Sequence, residues 1–210
     1  MRRELRGEKT RKSILSKTVD IASAEGLNGL TVGRVAKDLN MSKSGLFSHF
    51  GSKEELQLST VEAAREIFER EVIKPARDEE DGLIKLYAFL NAWVSYVEQS
   101  VFQGGCFFFA ASAEMDDRPG RVRDYIAEST IEWVEILKKQ ARLAVRLGEL
   151  KESCDVDLLV FQLHGSVQEA NWFFRLHDEK SAFKWARTSV LQSLELRATK
   201  TGLEILSTIE

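Results

Sequence analysis

Hydrophobic residues recur every three or four positions along nearly the whole chain, and no convincing run alternates with a period of two. A spacing of three or four places apolar side chains on one face of an α-helix. The pattern therefore predicts an all-α fold of about nine helices joined by short turns. We expect an N-terminal three-helix bundle that contains a helix-turn-helix, followed by a larger helical domain.

Capping residues mark the helix boundaries near the N-terminus. The first helix ends at Gly26, which we expect in the left-handed conformation that terminates helices. Thr31 and Ser42 are the predicted N-caps of two short helices, separated by a turn at residues 40–41. Ser52 and the three residues after it match a capping box, which opens a fourth helix.

The later part of the chain contains most of the aromatic residues. Sixteen of the nineteen aromatic residues lie from Tyr87 onward, including all four tryptophans. The helices predicted there cover approximately residues 83–101, 106–115, 119–147, 155–178 and 181–199.

The net charge changes sign along the chain. Residues 1–53 hold eleven basic and five acidic residues, a net charge of +6, whereas residues 54–210 carry a net charge of −9. A basic segment joined to an acidic one indicates an anionic partner for the first segment only. The alternative interpretation is a chance imbalance of surface charge.

Two short helices with a short turn inside this basic segment are typical of a helix-turn-helix, whose second helix lies in the DNA major groove. Lys43 can reach a phosphate or a guanine edge, and Ser48 and His49 can form hydrogen bonds with bases or backbone. Arginines at the N-terminus would add charge from a flexible arm. The alternative is an ordinary helical hairpin with a solvated basic face. The candidate DNA-binding residues are Thr31, Arg34, Lys43, Ser44, Gly45, Phe47, Ser48, His49 and Lys53.

Two stretches of the basic segment, Gly26–Leu39 and Met41–Leu56, resemble the N-terminal part of the TetR family of transcriptional regulators. Two shorter segments, Gly104–Cys106 and Asp116–Gly120, resemble parts of one C-terminal subgroup of that family. The resemblance implies a homodimeric DNA-binding regulator and not an enzyme. It further implies a repressor that leaves a palindromic operator when a small molecule occupies the larger domain.

The resemblance also implies roles for individual residues. This chain departs from the family pattern at two of them. Phe47 stands where many members have a Tyr whose hydroxyl meets a phosphate, and Gly45 stands where many have Thr. Both departures change the expected details of DNA contact. The residues expected by similarity to contact bases or backbone are Thr31, Lys43, Phe47, His49 and Lys53.

These observations divide the chain into a helix-turn-helix DNA-binding domain at residues 1–53 and a helical ligand-binding and dimerisation domain at residues 54–210. The fourth helix, from Ser52 to about Ile73, joins the two and is the expected lever between them. The resemblance places the dimer contact on the last two helices. Their alternative role is packing within one subunit. The small and apolar residues available for the dimer contact are Gly165, Ser166, Ala170, Phe161, Trp172, Phe173, Trp185, Val190 and Leu194.

The aromatic residues of the larger domain exceed what a modest helical core needs, and an apolar pocket with a few polar groups is the usual small-molecule site. We therefore expect a small apolar or aromatic effector. The alternative is that these aromatic residues form ordinary core. The candidate ligand-binding residues are Phe89, Trp93, Phe102, Cys106, Phe107, Trp133, Phe161, His164, Gln168 and Trp172.

A second class of function remains open, namely a thiol-based redox sensor or a helical protein-interaction module that acts through Cys106 and the C-terminal domain. Three neighbouring phenylalanines are expected to raise the pKa of Cys106, which disfavours the reactive thiolate. Two cysteines exclude a disulfide framework, and no His or Cys spacing fits a metal. We expect no cofactor.

The sequence predicts neither a membrane-spanning segment nor a signal peptide. No apolar run reaches the length of a membrane span, about 18 residues. The basic N-terminus lacks the apolar stretch of a signal peptide. A cytoplasmic protein is the expectation.

Overall fold

The computed structural model describes residues 2–209, with side chains from residue 7 onward. The described residues contain one isolated β-bridge, between Leu150 and Ala198, and no longer strand. The predicted all-α fold is therefore confirmed. Its helices are α1 (Arg2–Glu25), α2 (Val32–Asp38), α3 (Lys43–Phe50), α4 (Lys53–Phe68), α5 (Leu83–Glu98), α6 (Phe107–Met115), α7 (Arg121–Arg146), α8 (Val156–His177), α9 (Ser181–Glu195) and α10 (Lys200–Leu206).

Helix α10 was not expected, because the apolar pattern extended the preceding helix to Thr199. Thr199 instead has extended backbone and its side chain accepts a hydrogen bond from Gly202 N, so it is the N-cap of a new helix. A Thr in an otherwise periodic run can therefore begin one helix after another has ended. Within residues 2–209, no helix has both the length and the apolar composition that crossing a membrane demands.

The chain forms two compact units. The first comprises Met1–Ile67 and Phe102–Ser129, and the second comprises Phe68–Val101 and Thr130–Glu210. The first unit thus contains α6 and the beginning of α7 as well as the predicted DNA-binding segment. The functional division at residue 54 remains a prediction, and it does not coincide with these units.

The first three helices of the first unit bury their apolar faces together. Val35 of α2 and Leu46 of α3 are fully buried, as is Leu30, which precedes α2. Thr31 and Ser42 cap α2 and α3 as predicted, because each side chain accepts a hydrogen bond from a backbone N–H in the first turn. These caps fix where the two short helices begin.

Two other predicted boundaries differ in detail. Gly26 has the expected positive φ of 82°, but its ψ of 160° is outside the left-handed helical region. Ser52 accepts a hydrogen bond from Glu55 N at 3.1 Å, which is the first half of a capping box. The second half is not formed, because Ser52 N donates to Phe50 O and the Glu55 carboxylate pairs with Arg121.

Beyond α4 the helical geometry changes. Glu69–Ile73 form a π-helical turn, and Lys74–Ala76 a 3-10 turn that contains Pro75. Pro75 cannot donate a backbone hydrogen bond, which helps to end the helical run here. The fourth helix was predicted to reach Ile73. The α-helix ends at Phe68, and the remaining residues to Ile73 are π-helical.

Helices α8 and α9 of the second unit run antiparallel. Phe174 packs on Phe183 with 4.8 Å between ring centroids, and further along the pair the Ser166 and Ser189 hydroxyls are 2.9 Å apart. The later residue of α9 therefore contacts the earlier residue of α8, as antiparallel packing requires. Buried Leu163, Val167, Val190 and Leu194 fill the helix pair.

Candidate DNA interface and buried aromatic cluster

The turn between α2 and α3 fixes the orientation of the second helix. Asn40 has a positive φ of 52°, which Asn tolerates better than most residues. Met41 N then donates to Ala36 O at 2.8 Å, so the chain folds back on α2 before Ser42 starts α3. Buried Ala36, Leu46 and Phe50 support the pair. This arrangement is a helix-turn-helix.

The outward face of α3 collects most of the predicted DNA contacts. Lys43, Ser44 and Ser48 are exposed, and Gly45 and His49 are half-buried. Phe47 lies among them with 46% of its surface exposed, which is unusual for an aromatic ring on a polar face. The face therefore offers one cation, two hydroxyls and an apolar ring to a partner.

Three of the predicted DNA-binding residues lie outside α3. Arg34 and Lys53 already have partners within the chain, and Thr31 acts as a helix cap. Arg34 pairs with Glu25 at 3.0 Å and with Asp38 at 2.9 Å. Hydrogen bonding and charge attraction to Asp38 raise the pKa of Arg34, and the same pair lowers the pKa of Asp38. Lys53 Nζ donates to Asn28 O at 3.1 Å, and the Thr31 hydroxyl caps α2. The arginines at residues 2, 3 and 6, expected to act from an arm, have side chains outside the described residues.

Arg11 of α1 supports the C-terminal end of α3, a role that the sequence does not predict. Its guanidinium donates to His49 O at 2.6 Å and to Ser59 Oγ at 2.8 Å, and it lies 4.4 Å from the centroid of the Phe50 ring. A cation at the C-terminal carbonyls of α3 is electrostatically favourable. The only sequence signal was a basic residue three positions before buried Ile14, on the same helix face.

Glu114 of α6 holds the turn before α2. Its carboxylate accepts hydrogen bonds from Leu27 N at 2.6 Å and Asn28 N at 2.8 Å. The positive φ of Gly26 favours glycine, and a Cβ there would lie 2.6 Å from Glu114 Oε2, so a side chain at this position would displace the carboxylate. From the other side, Gln57 Nε2 donates to Leu27 O at 2.8 Å.

Two neighbouring contacts tie the same segments together. Gly104 N donates to Ser23 Oγ at 3.2 Å, and a Cβ on Gly104 would overlap the Ser23 carbonyl group. Arg121 at the start of α7 pairs with Glu55 at 2.6 Å and with Glu54 at 3.4 Å. Hydrogen bonding to Glu55 is the main cause of the raised pKa of Arg121. The segment from Phe102 to Ser129 is thus attached by polar contacts to the segment that contains the helix-turn-helix, residues 7–55, which we call the head.

The second unit buries a group of rings that we name the aromatic cluster: Phe68, Phe89, Trp93, Trp133 and His164. Trp133 is central, with ring centroids 5.1 Å from Phe68, 5.8 Å from Phe89 and 5.7 Å from Trp93. Trp93 in turn lies 4.9 Å from His164. Four of the ten predicted ligand-binding residues therefore meet in one place.

Several polar side-chain atoms of the second unit are buried without partners. Trp93 Nε1, Trp133 Nε1 and Gln168 Oε1 have no hydrogen-bond partner among the described residues. Gln168 follows His164 by one turn of α8, on the same face. Each unpaired buried polar group costs about 1–3 kcal/mol, and such groups are uncommon in folded proteins. Burial also lowers the pKa of His164, which favours its neutral form.

The other predicted ligand-binding residues lie elsewhere. Phe102, Cys106 and Phe107 are buried in the first unit, where Phe102 and Phe107 are 5.9 Å apart. Phe161 and Trp172 lie on the surface of α8, 76% and 39% exposed, so their side chains do not join the aromatic cluster.

The surface of α8 and α9 is unusually apolar. Leu158, Phe161 and Leu176 on α8 are exposed, as are Trp185 on α9 and Leu196 just beyond it. Gly165 and Ser166 line a groove between these helices. Exposed apolar residues that form a contiguous patch typically mark a protein contact.

The cysteines show no reactive environment. Cys106 is 1% exposed at the start of α6, which restricts the access of oxidants. Burial raises the pKa of Cys154 and so disfavours its thiolate. Among the described residues, no three His, Cys, Asp or Glu side chains are grouped so that they could bind a metal ion.

Comparison with known proteins agrees with the helix-turn-helix. A family model described as "Bacterial regulatory proteins, tetR family" matches residues 14–59. Another, "Tetracyclin repressor-like, C-terminal domain", matches residues 82–190, more than half of the chain. The HTH-type transcriptional regulator TcmR of Streptomyces glaucescens is 26% identical over an alignment of 203 positions, which covers 91% of this chain and 85% of TcmR.

Solved structures show the same fold. A TetR transcriptional regulator from Chloroflexus aurantiacus superposes with a TM-score of 0.85 at 22% identity, covering 94% of this chain and 98% of that one. AibR, solved in complex with isovaleryl coenzyme A and operator DNA, has a TM-score of 0.71 at 19% identity, with coverage of 86% and 96%. At these identities the likeness concerns the fold.

Proposed function

Because the chain belongs to the TetR family of transcriptional regulators, we propose that it is a homodimeric repressor released from a palindromic operator by a small apolar or aromatic effector. In this proposal α3 reads the DNA, α8 and α9 form the dimer contact, and the aromatic cluster holds the effector. A repressor of this kind acts on chromosomal DNA, so we expect it in the cytoplasm.

The observation that carries the DNA-binding role is the outward face of α3. Lys43, Ser44, Phe47 and Ser48 are all exposed on a helix whose start and end are fixed, by the Ser42 cap and by Arg11 respectively. The segment around it carries the net charge of +6 while the rest of the chain is acidic. Electrostatic attraction therefore favours docking of this face on the duplex.

Substitution of Lys43 tests whether the outward face of α3 binds DNA. We expect Lys43→Ala to weaken operator binding and, if it contacts one phosphate, to reduce the slope of log K against log salt by about 0.9. Lys200→Ala, at an exposed position at the start of α10, is the matched control because it removes the same charge from the other unit. The control should bind DNA as the wild type does.

The assay is fluorescence anisotropy of duplexes from the upstream region of the protein's own gene, at two salt concentrations and with an unrelated duplex as competitor. Binding that resists the competitor and weakens in Lys43→Ala alone supports a sequence-specific regulator. Equal affinities for Lys43→Ala and wild type would place the DNA face elsewhere.

The apolar surface of α8 and α9 supports the dimer. Exposed Phe161, Trp185 and Leu196 would be covered by the same helices of a second copy, in a four-helix bundle. Such a contact is self-complementary, as a two-fold dimer requires. Two heads related in this way read half-sites about 34–36 Å apart.

The aromatic cluster supports the effector site. It combines apolar rings with unpaired Trp93 Nε1 and Trp133 Nε1, and apolar lining with a few polar groups is typical of small-molecule sites. An effector releases the operator only to the extent that it binds one arrangement of the heads better than the other. Trp133→Ala should therefore reduce effector-induced release while operator affinity without effector stays the same.

A further inference from the structure

The polar atoms of the aromatic cluster define what its ligand must offer. Trp93 is 2% exposed and Trp133 is 6% exposed, and the indole N–H of each has no hydrogen-bond partner among the described residues. An indole N–H can only donate. A ligand that pairs with these groups must therefore present hydrogen-bond acceptors to them.

Gln168 requires a hydrogen-bond donor on the ligand, whereas the two tryptophans require acceptors. Its Oε1 is a buried acceptor without a partner in the described part of the chain, and it lies one turn beyond His164 on α8. A hydroxyl or N–H on the ligand would satisfy it. Two donors in the cluster, and one acceptor on the same face of α8 as His164, favour a ligand that carries both a carbonyl and a hydroxyl group.

The charge of the aromatic cluster and the arrangement of its rings further restrict the chemical class of the ligand. Phe68, Phe89, Trp93 and Trp133 are uncharged, and burial lowers the pKa of His164, so the cluster has no fixed charge to neutralise an ionic ligand. An unpaired ion is costly to bury, so charged ligands are disfavoured. The rings meet edge to face, with interplanar angles of 78–84° around Trp133. Ring edges and faces of this kind pack well against a flat aromatic system.

We infer that the effector is an uncharged aromatic ketone, whose carbonyl oxygen accepts hydrogen bonds from Trp93 Nε1 and Trp133 Nε1 and whose hydroxyl group, where it has one, donates to Gln168 Oε1. This inference rests on the proposed effector site and specifies its chemistry.

The test uses two planar probes that differ only in the carbonyl group. Quenching of tryptophan fluorescence by 9-fluorenone and by fluorene gives the dissociation constant of each for the full-length protein. We expect 9-fluorenone to bind at least about tenfold more tightly, since each of the two net hydrogen bonds is worth about fivefold. The charged analogue 9-fluorenone-4-carboxylate should bind more weakly than 9-fluorenone.

Substitutions that keep a ring but remove the donor identify the atoms. Trp93→Phe and Trp133→Phe should each lower the preference for 9-fluorenone, and the double variant should abolish it, while fluorene affinity changes little. Tyr87→Phe is the control, because it also deletes one polar hydrogen from α5 but lies about 120° around the helix from Trp93. The control should keep the wild-type preference.

A measurement on the wild type guards against variants that fold poorly. In protein labelled with 15N-tryptophan, 9-fluorenone should shift two of the four indole N–H resonances downfield, and fluorene should not. Equal affinities for the two probes, no binding of either, or a preference that survives in the double variant would overturn the inference. Operator binding by the same preparation is measured separately, so a regulator with a different effector class is distinguished from a protein that does not bind DNA.

Discussion

Removal of the Glu114 carboxylate tests how the turn before α2 is held. Glu114→Ala deletes two charge-assisted hydrogen bonds, to Leu27 N at 2.6 Å and to Asn28 N at 2.8 Å. Such bonds contribute about 1.5–3 kcal/mol each, and we take the lower part of that range because Asn28 is exposed. The expected loss is about 3–4 kcal/mol in the free energy of unfolding.

Calorimetry and hydrogen exchange measure this loss. For a chain of this length the melting temperature should fall by about 5–15 °C. The amides of Leu27 and Asn28 should also exchange faster, because they lose their acceptor. Glu114→Gln keeps one acceptor oxygen and should have an intermediate effect. The control is Glu128→Ala, an exposed position on α7 in the same unit, which should melt as the wild type does.

The same change bears on DNA binding, since Leu27 and Asn28 precede the first helix of the helix-turn-helix. We expect Glu114→Ala to weaken operator binding several-fold without a change in the dimer. Unaltered exchange at both amides, or a melting temperature within about 1 °C of wild type, would refute the role assigned to Glu114.

Four further predictions follow from other contacts. Lys53→Ala should weaken binding about equally for all duplex sequences, as loss of a phosphate contact does, and sequence-dependent losses in anisotropy titrations would contradict it. Arg11→Ala should lower the free energy of unfolding by about 2–4 kcal/mol in denaturant titrations, and Arg11→Lys should not restore it because Lys lacks the forked donor geometry. Burial lowers the pKa of His164 below 6.5, so its neutral form stabilises the fold above that pH and the stability is lost as pH falls through the folded pKa. Melting temperatures from pH 7 to pH 5 should therefore fall more steeply for the wild type than for His164→Gln. Phe161→Glu should dissociate the dimer in sedimentation experiments, and an unchanged dimer would exclude α8 as its contact.

The sequence predicted those parts of the head that depend on neighbouring residues. Thr31 and Ser42 were identifiable as N-caps because capping is a contact between residues three positions apart. The outward positions of α3 followed from helical periodicity in the same way. Periodicity held for Lys43, Ser44 and Ser48, which are exposed. It was wrong for Phe47, an apolar position that the pattern assigns to the packed face of the helix pair and that is 46% exposed.

Contacts between distant segments could not be predicted. Glu114 meets residues 86 and 87 positions away, and Arg11 meets His49 across 38. Glu55 fitted a capping box by spacing, yet its carboxylate pairs with Arg121, because an Arg from a later helix competes for it. Periodicity alone also could not separate the aromatic residues of α8 that face inward from Phe161, which faces out.

Gly104 limits how this protein can be recombined with its relatives. Any side chain at Gly104 would collide with the Ser23 carbonyl group, so two segments about eighty residues apart are shape-matched to one another. A chimera that exchanged only residues 1–53 would separate Ser23 and Gly26 from the Gly104 and Glu114 to which they are fitted. The exchangeable module therefore has two pieces, and a functional graft of a new DNA specificity should carry residues 102–129 along with the head.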